Sequence, residues 1–456
     1  MGRSSTGYLT TAAAAAAVSA LIGSGAARAA EPTTAELMQQ IQQLQAKVEQ
    51  LETTQNQQAA MSAKDVDATV ERVLNDAEKR SQLLQVEGFT AGYNKGKFIL
   101  QDAAGNFVLH PYLQFQFREN SVWREDAKSG GSSDDWQNGF EVRRMKFGFD
   151  GNAITPNLKY MFQWQTKQST GNPFLEDGWV SYKFADQWTV QLGQFKGPTF
   201  REALVSSVRQ LAVERSLQNQ LLEGGDDYLQ GVALIYDPTS TVHAVLAFTD
   251  GFNSINQDFL DYPTNSFDFG FAGRVDWQLM GENFKSYNDF SAVTNKNVDL
   301  LVLGAGFDWS ESGDLDQLRH TVDVQWEPSS VQGLSLFGAY VGRYSKVGTS
   351  TPGGDDNFYD WGFLVQAGYM VNDKFELFGR YDYTDFDSNS LAAGTQTRYC
   401  EITAGMNYYF SGDHAAKFTL DVTYLPEGSP SDALGADILA AEGNEVVVRG
   451  QFQLLL

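Results

Sequence analysis

From about residue 107 to its end the chain alternates apolar and polar side chains with a period of two. Residues 417–424 show the pattern most clearly: Phe418, Leu420, Val422 and Tyr424 fall on one face, Lys417, Thr419, Asp421 and Thr423 on the other. A strand places successive side chains on opposite faces, so one face is dry and one is wet. The wet faces carry Arg, Asp and Gln besides Ser and Thr. The dry faces are rich in Phe, Tyr and Trp near strand ends. Lipid outside and water inside a closed barrel account for both features.

Sixteen strands are predicted, near 107–118, 140–150, 157–167, 176–184, 187–197, 228–237, 241–250, 267–279, 298–309, 316–327, 334–345, 359–371, 374–386, 397–410, 415–425 and 444–456. An even number closes a single-chain barrel, and roughly nine to eleven tilted residues cross the hydrocarbon. The connections alternate as well. Gly151–Pro156, Ala185-Asp186, Pro238–Ser240 and Asn372-Asp373 read as tight turns. The stretches 119–139, 198–227, 251–266, 346–358, 387–396 and 426–443 are longer. Two connections break the alternation: 280–297 is long for a turn, and 310–315 is short for a loop. The expected fold is an all-β, 16-stranded antiparallel transmembrane β-barrel preceded by a signal peptide and a short α-helical coiled-coil stalk.

The segments before the barrel follow other patterns. Arg3, the apolar run Ala12–Ile22 and the small residues Ala27-Arg28-Ala29 read as a secretory signal over 1–29. Leu37, Ile41, Leu44, Val48 and Leu51 are spaced as an a/d heptad seam, and Val66, Val70, Val73 and Ala77 resume it. Residues 30–87 are therefore expected to form a periplasmic helical stalk, either a coiled coil between subunits or a helix lying on its own barrel. Residues 88–106 read as a linking hairpin, and 107–456 as the barrel.

Composition narrows the function classes. Net charge is −24, which argues against nucleic acid as a partner. Mean hydropathy is −0.33, too polar for a helical membrane protein. Cys400 is the only cysteine, which removes internal disulfides and thiolate metal clusters; it falls on the lipid-facing parity of its strand. His110, His243, His320 and His414 stand in no motif with a nucleophile. No enzyme activity, cofactor or metal is expected.

The connection 198–227 is the candidate functional loop. It carries Arg201, Arg209 and Arg215, reads partly as helix, and is bounded by Pro198 and Gly224-Gly225. A loop of this length is usually functional, and in a barrel it can fold inward and narrow the lumen. By parity Arg118, Arg144, Lys146, Lys159, Arg274, Arg319, Arg380 and Arg449 face the lumen. So do Asp268, Asp276, Asp323, Glu327, Glu376, Asp382, Glu401 and Asp421. Rings of one sign select ions of the other, whereas opposed charges simply neutralise each other.

Three segments resemble the phosphate-selective porin O and P family. One is Val142-Arg143-Arg144-Met145-Lys146-Phe147 running into Gly148-Phe149-Asp150-Gly151. The second is Val190-Gln191-Leu192-Gly193-Gln194-Phe195-Lys196-Gly197-Pro198, followed by Glu214-Arg215-Ser216-Leu217. The third is the sixteen-strand layout after a stalk. The resemblance implies a homotrimer of barrels in the outer membrane of a diderm bacterium, each with a loop folded into its pore. It also implies an anion path, onto which Lys196 and Arg215 map. With Arg201, Arg209, Arg144 and Lys146 these form the expected constriction. The chain departs from many members by ending Leu454-Leu455-Leu456 rather than on an aromatic residue. The leading expectation is passive diffusion of small hydrophilic solutes or anions such as phosphate. The alternative is a structural envelope tether, with the stalk reaching the cell wall and the barrel anchored in outer-membrane lipid.

Overall fold

In the computed structural model the described residues are 38–39, 42–54, 70–73, 88–94, 97–127, 134–258, 267–282, 284, 287–294, 299–313, 315–348, 356–391, 395–430 and 436–456. The signal segment 1–29 lies outside them. Of the stalk, 42–54 and short pieces at 38–39 and 70–73 are helical. The contacts divide the chain into two units, Met1–Leu83 and Leu84–Leu456.

The second unit is built mainly of strands. A hairpin comes first, β1 (Phe89–Asn94) and β2 (Lys97–Asp102), and the tip of β2 pairs with the start of β3. Sixteen long strands follow. They are β3 (Val108–Arg124), β4 (Trp136–Asn152), β5 (Leu158–Thr166), β6 (Pro173–Ala185), β7 (Trp188–Lys196), β8 (Tyr228–Thr239), β9 (Val242–Thr249) and β10 (Phe269–Met280). Then come β11 (Leu300–Ser312), β12 (Leu315–Glu327), β13 (Leu334–Val347), β14 (Asn357–Met370), β15 (Phe375–Asp385), β16 (Arg398–Tyr409), β17 (Ala416–Leu425) and β18 (Glu445–Leu455). Each pairs antiparallel with the next, and β18 returns to β3 from Glu445↔Arg124 to Leu455↔Gln114. The ring is closed, so no strand edge of the barrel is left unpaired. All sixteen expected strands are present.

Side-chain parity sorts the two faces. On β12 Gln317, Arg319, Thr321, Asp323, Gln325 and Glu327 are buried inside, while Val322, Val324 and Trp326 are exposed outside. On β17 Lys417, Thr419, Asp421 and Thr423 turn inward and Val422 and Tyr424 outward. Exposed aromatic residues gather at both ends of the outer wall. Trp123, Trp136, Phe140 and Tyr344 stand at the long-loop rim; Phe184, Trp277, Tyr369 and Phe410 stand at the short-turn rim. Amphipathic rings prefer these two interfacial levels. Cys400 is 8% exposed and shares the parity of the exposed Ile402 on β16.

The two irregular connections are real. β11 and β12 are joined by residues 313–314 alone, and residues 281–299 separate β10 from β11. The longer connection does not hang outside. Its Asp289, Phe290, Ser291, Ala292 and Val293 are all buried. No helix among the described residues is long and apolar enough to cross a membrane.

Candidate functional site: the filled lumen

The connection between β7 and β8, residues 197–227, enters the barrel. Phe200, Ala203, Val205, Leu211, Leu217 and Leu222 are each at most 2% exposed. Its helix content is limited to short turns at Arg201–Leu204, Ser207–Arg209 and Asn219–Glu223. A loop crossing a lumen must satisfy its own backbone polar groups, and here the wall supplies the partners. The amides of Val213, Leu217 and Gln218 donate to Asp421 (2.8 Å), Glu401 (2.8 Å) and Asp382 (3.1 Å). The carbonyls of Gln210, Leu211 and Glu214 accept from Lys417 (2.9 Å), Asn407 (3.0 Å) and Arg380 (2.8 Å). Val208 and Thr199 accept from Gln453 (3.0 Å) and Arg274 (3.1 Å). Many of the inward charges expected to line a water channel thus hold a strap of backbone.

Two wall glycines make room for it. A Cβ on Gly306 would stand 2.4 Å from the Thr199 carbonyl oxygen, and one on Gly362 would stand 2.9 Å from Gln218 Cγ. The loop also braces itself. Ser216 donates to Glu202 from both its amide (2.9 Å) and its hydroxyl (2.6 Å). Arg215 reaches the carbonyls of Glu202 (3.0 Å) and Val205 (2.9 Å) and pairs with Asp226 at 2.6 Å.

Glu214 is the charged centre of the strap. Arg118 and Arg143 reach it at 2.6 Å and Arg144 at 3.0 Å. Burial pushes its carboxyl up; Arg143, Arg144 and Arg118 outweigh that and hold it well below the usual carboxylate range. Arg118 also pairs with Asp437 of the β17–β18 loop. That loop covers the long-loop end of the lumen, where Ala436 and Ile438 pack with Val122, Leu217 and Val447. Further neutralised pairs line the wall: Arg274–Asp323 (2.8 Å), Arg380–Glu401 (2.6 Å) and Arg449–Asp421 (2.9 Å).

The β10–β11 connection enters from the opposite rim and meets the strap. Arg201 lies over the Tyr287 ring at 3.6 Å, and the Phe290 amide donates to the Arg209 carbonyl at 3.4 Å. Phe290 packs against Phe337 with tilted rings, 4.6 Å between centroids. Asp289 and Ser291 bond His414 (2.9 Å) and Glu376 (2.7 Å). Sequence reasoning missed Tyr287, Asp289 and Phe290 as lumenal groups. The signal was the unexpected length of 280–297 together with its Phe290-Ser291-Ala292-Val293 run.

Loop and turn together occupy the lumen beside β10–β18. A cavity of about 340 Å³ remains on the other flank, bounded by residues of β3–β8 and by Leu204, Ser206 and Ser207. Of the six expected constriction residues, Lys146 and Lys196 line it. Lys146 pairs with Glu176 at 2.7 Å; Lys196 donates to the Ala203 carbonyl at 2.6 Å and to Asp226 at 3.3 Å. Arg144 is committed to Glu214, Arg215 to its own loop, and Arg201 and Arg209 to the β10–β11 connection, Arg209 reaching the Asn288 carbonyl at 3.4 Å. Lys159 and Asp268 are exposed near strand ends.

A closed barrel with an inward strap is the architecture of a porin, and the comparisons agree. Residues 121–300 match the model of the family described as phosphate-selective porin O and P. Over these residues the chain is similar to the phosphate-selective porin family. An uncharacterised protein of Aquifex aeolicus is 23% identical over 317 residues, 64% of this chain and 73% of that relative. The anion-selective porin of Comamonas acidovorans superposes with TM-score 0.52 at 13% identity, over 76% of this chain and 99% of that one. OmpF of Salmonella typhi, solved in complex with daunomycin, gives 0.51 at 15% identity, over 80% and 100%. At these identities the solved structures show the fold. The family match over 121–300 and the porin fold together support an outer-membrane porin channel for small solutes.

Proposed function

We propose that solutes cross this porin along the β3–β8 flank, through the cavity that the strap leaves beside Lys146 and Lys196. The single observation that carries this reading is the one-sided filling of the lumen. Loop and turn are stitched mainly to β10–β18, with Glu214 and Ser207 adding contacts to β3 and β4, while the flank between β4 and β8 facing Leu204 keeps its space. The strap then sets the size limit. Lys146 and Lys196 give a weak preference for small anions, phosphate among them, weak because each ammonium already has a carboxylate partner. Arg201, Arg209 and Arg215 act as fasteners of the strap rather than as ion sites.

The homotrimer and the stalk belong to the same proposal. Leu44, Val48 and Leu51 of the helical segment are 63%, 52% and 65% exposed within one chain, as an a/d seam awaiting a second copy would be. Long loops then face the exterior of a diderm bacterium and the stalk its periplasm, within reach of the cell wall. The extent of lumen filling supports the tether as a second reading.

Reversal potential of the purified protein in a planar bilayer under a salt gradient tests the route. Anion preference should fall in Lys146→Met and Lys196→Met and persist in Arg209→Ala. Cation preference in the native protein would overturn the anion path. Absence of conductance would overturn the channel and leave the tether.

A further inference from the structure

The surviving cavity differs chemically from the rest of the lumen. Inward positions on β12 and β17 are polar except for Leu315 and Leu425 at the strand ends. Inward positions on β5–β9 instead include Met161, Trp179, Phe195, Ala233, Val245 and Ala247. Phe195, Ala233 and Ala247 form one buried cluster, with Trp179 and Val245 packed against it. Met161, Trp179 and Phe195 border the cavity itself. Apolar side chains facing a channel gain nothing from water, and such a patch rimmed by polar groups marks a ligand surface.

Charges of both signs border the same cavity. Lys146 and Lys196 bring two ammonium groups. Asp177 brings a carboxylate whose hydrogen-bond donors are both neutral, Gln163 Nε2 at 3.2 Å and Tyr228 Oη at 3.4 Å. Asp177 is 8% exposed, and Glu176 beside it is the partner of Lys146. A space of about 340 Å³ sits at the small end of ligand pockets.

We propose that this cavity is a selectivity subsite for small zwitterions with an apolar body, the class of apolar α-amino acids. The carboxylate lies toward Lys146 and Lys196, the ammonium toward Asp177, and the side chain against Trp179 and Met161. Inorganic anions lack the apolar body, and neutral sugars lack the charges. This rests on the cavity being the solute route.

The test uses the full-length protein with L-phenylalanine as the probe, read in two ways. One is blockade dwell time in a planar bilayer; the other is equilibrium binding to the detergent-solubilised protein. Phenylalanine should give concentration-dependent blockades and saturable binding. Glycine, benzoate and phosphate should each bind about tenfold more weakly. Trp179→Ala and Asp177→Asn should each weaken phenylalanine by about tenfold, with Met161→Ala as a milder variant should Trp179→Ala fail to fold. Benzoate or phosphate binding as tightly as phenylalanine, or indifference to Trp179→Ala, would overturn the subsite. Binding without conductance would keep the subsite and overturn the channel route. Conductance without binding would do the reverse, and absence of both would overturn both.

Discussion

Replacing Glu214 by Gln isolates the electrostatic fastening of the strap. The carboxylate is 2% exposed and receives Arg118, Arg143 and Arg144 at 2.6, 2.6 and 3.0 Å. Glutamine keeps the shape and one acceptor oxygen but removes the charge, leaving three guanidinium groups with one fewer counter-ion. Breaking a buried ion pair by removing one partner costs about 3–5 kcal/mol. Arg118 retains Asp437 and Gln451, and Arg144 retains Gln116, so the lower end applies. About 3 kcal/mol changes the docked-to-undocked ratio of the strap by a factor on the order of 10². Single-channel recording should then show a wider and noisier conductance, and the unboiled gel band should shift at a lower temperature. Gly306→Val attacks the same docking without touching charge, because its side chain must grow into the Thr199 carbonyl. If conductance and unboiled migration match the native protein in both variants, the strap is not held by the contacts described.

Two further outcomes follow from the buried groups. Burial and the neighbouring Glu202 push Glu223 up to about 8, and burial and Asp308 push Asp227 up to about 8. A carboxyl raised above its unfolded value binds more protons when folded, so stability is full below the unfolded pKa and falls as pH rises through the folded one. Between about pH 5 and 9 the unfolding temperature should therefore decline, and Glu223→Gln should remove part of that slope; a slope unaltered in the variant would refute the assignment. Phe290→Ala empties a site that is 1% exposed and packed against Phe337, at about 3–5 kcal/mol. It should loosen the β10–β11 turn and let proteolysis cut there, whereas unchanged protection would show that the turn is held by its polar contacts alone.

The sixteen strands were legible because a barrel wall divides two solvents, so each strand repeats the same alternation. Lys417–Tyr424 shows this: lipid selects Phe418 and Val422 while the lumen selects Thr419 and Asp421, and neither choice depends on a distant residue. Inward parity was legible for the same reason, and it correctly turned Arg118, Arg274, Arg380 and Arg449 to the inside. What each inward charge does was not legible. Asp421 donates nothing to a ring of charge; it accepts from the Val213 amide, 208 positions away in sequence. Backbone groups carry no residue signature, so a wall carboxylate that binds a loop amide looks the same in sequence as one that meets an ion. The β10–β11 turn was hidden for a related reason. Its apolar run Phe290–Val293 is too short to announce an element, and only the unpaired space inside the barrel gives it somewhere to be buried.

The charge balance of the lumen follows from that burial. A water-filled pore can leave its ions solvated, so unpaired cations there are tolerable. Once the strap and the turn exclude water along β10–β18, an unpaired charge on that flank carries a desolvation cost of several kcal/mol. Each arginine there must then find a carboxylate or a carbonyl, as Arg274 finds Asp323 and Thr199, and Arg380 finds Glu401 and Glu214. Groups committed in this way have little free field for a passing ion. Discrimination among solutes is thus left to the flank that stays wet, where Lys146, Lys196 and Asp177 meet Trp179 and Met161.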